Sequence, residues 1–136
     1  MATRSASMRR FAITAIMLLV STACNASRPS PLAAIGEITS AQVTVLAGGT
    51  SAPKTVTDPA VLAQLRSLAT ARGDWHSTWH TPPAGQVRAA LYRDTAYVGV
   101  VSIGPDFIGA RGPSAEQFRS IAPNELPVVA TFRVLK

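Results

Sequence analysis

Cysteine occurs once in the 136 residues, at Cys24. A single thiol excludes a disulfide within the chain, a zinc site built on several thiolates and an iron–sulfur cluster. Lysine is nearly missing too. Lys54 and Lys136 are the only two, and Lys136 is the last residue, so amine catalysis has little to draw on. Charged residues make up only 15% of the chain. The bases beyond residue 27 stand singly, and no cluster of them interleaves with aromatics, which leaves nucleic-acid binding without support. No apolar run reaches the roughly 20 residues that span a bilayer. A Gly-x-Ser-x-Gly elbow, a glycine-rich strand-to-helix turn and an internal repeat are all absent.

What is present begins at the N-terminus. Residues 1–10 carry Arg4, Arg9 and Arg10 and no acid, and residues 11–20 are apolar except for Thr14. Ser21, Thr22 and Ala23 are small. Basic start, short apolar core and small-residue end are the three parts of a secretory signal peptide. The plainer alternative is a buried helix of a cytosolic protein, but the Pro/Ser-rich stretch that follows suits a tether better. Without residues 1–23 the chain has 113 residues. Its 13 bases fall by three to ten, against seven acids, and the formal +6 falls to +3.

Ser21-Thr22-Ala23-Cys24 resembles the lipobox of bacterial lipoproteins. The resemblance implies cleavage before Cys24 and acylation of its sulfur, with two or three chains holding the protein on a membrane. That family usually has Leu where Ser21 stands. Ser21-x-Ala23 also fits ordinary signal cleavage, which leaves Cys24 as a free thiol. Asn25 after the cysteine implies the outer membrane, facing the periplasm, in a Gram-negative organism. The organisation expected is a signal peptide at 1–23, a lipidated cysteine with a flexible tether at 24–36, and one domain at 37–136. Such a tether reaches on the order of 30 Å.

Within the domain, residues 38–46 alternate, with Ala41, Val43 and Val45 on one face, and predict a strand. Residues 54–57 predict a short second one. Thr57 or Asp58 followed by Pro59 is a helix start, and Val61, Leu62, Leu65, Leu68 and Ala69 form one stripe. A helix over 59–72 follows, with Gly73 as a left-handed stop. Residues 74–85 predict a loop. Residues 87–93 and 97–103 form a hairpin about Asp94-Thr95, and 107–111 another strand. Ser114 and Gln117 match a capping box, predicting a short helix to Ile121. Residues 128–135 alternate as a final strand. These elements define a two-layer α+β fold. It has a mostly antiparallel sheet of four to six strands, one long helix on one face and a second short helix. The run over 87–121, with Tyr92-Arg93-Asp94, Ser102-Ile103-Gly104 and Phe107-Ile108, resembles small domains of uncharacterised bacterial envelope lipoproteins.

Trp75-His76-Ser77-Thr78-Trp79-His80 holds both tryptophans and both histidines. On a helix His76 and His80 face the same way and grip one metal ion, with Asp74 as a third ligand. No Glu follows His76, so the zinc-protease pattern is missing. Trp75 and Trp79 are candidates for a ligand or partner contact, or one of them tucks over the end of the core. Arg111, at a strand end beside Gly112-Pro113, is a candidate anion or partner contact, or a solvated arginine. Asp58, Asp74, Asp94 and Asp106 all sit at turns or helix starts, which capping and turn chemistry explains. The expected function is a lipid-anchored, non-enzymatic envelope module that needs no cofactor and binds another envelope component. A metal-binding protein or metal-dependent enzyme using the 75–80 loop is the alternative.

Overall fold

The computed structural model describes residues 27–46, 52–77, 86–113 and 115–135. The expected signal peptide, Cys24, the 78–85 segment with Trp79 and His80, and Ser114 lie outside them. The fold is α+β, built on one antiparallel sheet of six strands. In chain order the elements are β1 (Ser40–Val45), β2 (Lys54–Val56), α1 (Pro59–Thr70), β3 (Val87–Arg93), β4 (Ala96–Ile103), β5 (Phe107–Arg111), β6 (Glu116–Ser120), a 3₁₀ turn (Pro123–Glu125) and α2 (Leu126–Arg133). The spatial order is β2-β1-β3-β4-β5-β6.

Register shows which side is the core. Val43 pairs with Ala89, Ala89 with Val101, and Val101 with Ala110, and all four are buried. Side chains alternate across a strand, so every second residue of the central strands meets the helices. The expected β1 face is confirmed at Ala41 and Val43, and the β3–β4 hairpin turns at Asp94-Thr95. Asp94 takes a positive φ of 55° there, which Asp tolerates better than most side chains.

α1 starts as its sequence demands. The Asp58 carboxylate accepts the Ala60 N–H at 2.9 Å, and Pro59 stands at the first helical position. Leu62, Leu65, Leu68 and Ala69 face the sheet. The helix ends at Thr70 and is capped at Ala71, shorter than the expected 59–72. Gly73 is not its left-handed stop. It pairs in a β-bridge with Arg28, and a Cβ on it would stand 2.8 Å from Cδ of Arg119. Glycine is needed here for close approach.

Two elements are corrected. The expected short helix ending at Ile121 is strand β6, and the expected final strand over 128–135 is helix α2. The apolar residues of 126–135 satisfy both periods. Val129 and Phe132, three apart, are wholly buried while Ala130 is exposed, which is the helical solution. Pro127 starts that helix and cannot supply a ladder N–H. In β6 tertiary pairing overrides the capping-box pattern. All five of its residues pair with β5, and Phe118 also exchanges two backbone bonds of 2.9 Å with His76.

The stretch expected as free tether is packed from Ser27 onward. Arg28 exchanges backbone bonds of 2.8 and 3.2 Å with Gly73. The Ser30 hydroxyl donates to the Ala69 carbonyl and accepts from the Leu32 N–H at 3.0 Å. Leu32 is 1% exposed. Its composition signals a linker, but Ser30 and Leu32 satisfy the end of α1 and fill the core. A Cβ on Gly99 would meet Leu32 at 2.7 Å and the Arg111 carbonyl oxygen at 2.8 Å. Gly99→Ala is therefore expected to cost about 1–3 kcal/mol through overpacking. Urea melts check this, and paired Leu32→Ala and Gly99→Ala/Leu32→Ala variants should show partial relief.

Candidate functional site

β6 turns Arg119 toward the core, in register with Ile108. A guanidinium there is tolerated only where partners offset the cost of its burial. It is 3% exposed and makes a two-pronged pair with Glu125, at 2.6 and 2.7 Å. It also donates to the Leu68 carbonyl at 3.0 Å and the Ser120 carbonyl at 3.1 Å. Its charged carbon lies 5.3 Å from the centre of the Trp75 ring, a cation–π distance. Trp75 is itself wholly buried, and its indole N–H donates to the Ala71 carbonyl at 2.8 Å. One side chain thus joins the C-terminal end of α1, β6 and the turn into α2.

Beside this joint, α1 and the 120–128 segment enclose an open groove of about 870 Å³. Ala63 and Ser67 on α1 and Ala71 just past its end, each four residues apart, line one wall together with Gln64 and Leu68. Ile121, Pro123 and Val128 stand opposite, and Arg119 lines it between them. Three of the residues on this side, Ala63, Ser67 and Ala71, have small side chains that leave room between it and the facing segment.

Asp74 lies at one end, and its carboxylate accepts from the Ser120 N–H and hydroxyl, both at 2.8 Å. The Ser120 hydroxyl bond is the main influence on this acid. With the Ser120 N–H it holds the carboxyl below its ordinary 3.8, against a small opposing effect of burial. For Glu125, burial acts upward. The Arg119 hydrogen bonds, the Ala122 N–H and the guanidinium charge outweigh it and keep the acid below 4.5. Both acids are depressed, so their contribution to stability is full above their ordinary values. It is lost as pH falls through the lowered folded-state values. Wild type should hold constant stability from this source above about pH 5 and lose it on acidification below 4.5. Glu125→Gln should flatten that acid limb in pH-resolved urea melts. An unchanged limb would remove Glu125 from the account.

The sequence-predicted residues divide. Trp75 is wholly buried, the arrangement of the alternative in which one tryptophan tucks over the end of the core, and its ring faces Arg119. Arg111 is exposed at the end of β5, in register with Glu116 and away from the groove. His76 is exposed, and its Nδ1 lies 2.9 Å from the Asp74 backbone carbonyl. The Asp74 carboxylate is engaged by Ser120. Trp79, His80 and Cys24 lie outside the described residues. Among the described residues no three His, Cys, Asp or Glu side chains are grouped to hold an ion, and no helix is long and apolar enough to cross a membrane. Sequence reasoning missed Arg119, Glu125 and the groove wall. The six-residue spacing of Arg119 and Glu125 carries no motif, and the one available signal was the four-residue recurrence of Ala63, Ser67 and Ala71.

In comparisons with protein-family models, curated proteins and solved structures, nothing matches the chain.

Proposed function

We propose that this is a lipid-anchored cell-envelope protein whose domain is a non-enzymatic binding module, with the groove beside α1 as its binding surface. One observation carries the binding role. The two carboxylates lining the groove, Asp74 and Glu125, are each held ionised by internal partners. Groups fixed in that way suit a surface that holds a ligand, whereas general acid–base chemistry needs a group poised near the working pH. The anchoring half rests on the lipobox-like end at Cys24, and implies an outer-membrane, periplasm-facing position in a Gram-negative organism.

Anchoring is tested by metabolic labelling. Palmitate label should enter the wild type and not Cys24→Ser, and equal labelling of both would end that half. Binding is tested with a photo-reactive residue at the exposed Ala63 position. A defined envelope component should crosslink there and be lost when Ser67→Trp fills the groove. Crosslinking that ignores Ser67→Trp would refute the groove as the surface.

A further inference from the structure

The groove carries information about what fills it. Its charged lining is two guanidiniums, Arg72 and Arg119, and two carboxylates, Asp74 and Glu125, which sum to zero. Each is engaged within the chain: Arg119 by Glu125, Asp74 by Ser120, and Arg72 by the Ser27 carbonyl at 2.6 Å. A charged ligand finds no free counter-charge. The remaining wall is largely apolar, so the occupant is neutral and hydrocarbon-rich.

The path of the chain selects the source of that occupant. Ser27 is held by Arg72, and Arg28 by Gly73, and both Arg72 and Gly73 line the groove. The N-terminal segment therefore arrives at the groove's rim. Cys24 is three residues further on, within about 10 Å of Ser27 by chain length. We infer that the groove shelters an acyl chain carried by Cys24 whenever the domain is away from a bilayer. This rests on the reading of Cys24 as a lipidated residue. It goes further, in making the anchor itself a ligand of the domain. Burying one chain removes its apolar surface from water and so lowers the drive of a lipidated protein to aggregate in transit.

The test uses the full mature chain. Mass spectrometry of exported wild type should find acyl mass on Cys24. Unacylated Cys24→Ser protein, titrated with monopalmitoylglycerol below its micelle concentration, should bind one equivalent. Amide NMR shifts should then centre on Ser67, Ile121 and Val128. Ser67→Trp, and separately Ala63→Leu, at exposed α1 positions, should weaken that binding at least tenfold with unchanged circular dichroism. Acylated wild type in detergent-free buffer should take up the probe at least tenfold more weakly than Cys24→Ser, because its own chain competes. Absence of groove shifts, or equal probe uptake by both forms, overturns the inference. An unacylated Cys24 ends the lipoprotein reading and this one together. Acylated Cys24 with an uncompetitive groove ends this one alone.

Discussion

Trp75→Ala is expected to destabilise the domain by about 3–5 kcal/mol, the range for truncating a large buried aromatic. The effect is placed at the top of that range by what else is lost. The indole is wholly buried, bonds the last turn of α1 through Ala71, and supplies a ring face 5.3 Å from the Arg119 charge. Its removal leaves a cavity against a guanidinium that has just lost a π partner. Trp75→Phe keeps a ring face and most of the volume, and should cost less than half as much. The check is urea denaturation followed by far-UV circular dichroism. A Trp75→Ala cost under 1 kcal/mol would show that the ring is not a core element.

Glu125→Ala follows, at about 2–3 kcal/mol, because it strands a buried guanidinium. The loss also frees the Ala122 N–H, which Glu125 accepts at 3.0 Å, and so loosens the turn into α2. The figure lies below the range for fully enclosed pairs because the Glu125 side chain keeps 14% exposure. Arg119→Met removes the stranded charge, so the double variant Arg119→Met/Glu125→Ala should be more stable than Glu125→Ala alone. A double-mutant cycle measures this coupling directly. Strictly additive losses would mean that the two side chains do not support one another.

Both variants probe a joint that the sequence hardly signals. Legible features were those whose causes are local. Asp58-Pro59 starts α1, a 3.6-residue stripe fixes its buried side, and alternation about Asp94-Thr95 sets the β3–β4 hairpin. Illegible features depended on distant partners. Glu116 to Ser120 has no strong preference of its own and becomes a strand because β5 and His76 offer backbone partners on either side. Val128 to Val134 satisfies two periodicities, and only the burial of Val129 and Phe132 chooses between them. Gly73 reads as a helix stop until Arg119, 46 residues later, is seen to pass across it. The groove is harder still to foresee. Small side chains on one side leave room for it, and their effect depends on how far away the opposing segment lies.

The outer margin of β6 has a different consequence. A strand at the side of a sheet offers unpaired backbone groups to any neighbouring copy. Here the Phe118 N–H and carbonyl are taken by His76, and the Ser120 N–H by the Asp74 carboxylate. At the opposite margin β2 is only three residues long, too short a template for extended pairing. Among the described residues neither border of the sheet offers a long unpaired template, which disfavours strand-to-strand polymerisation between copies of the chain.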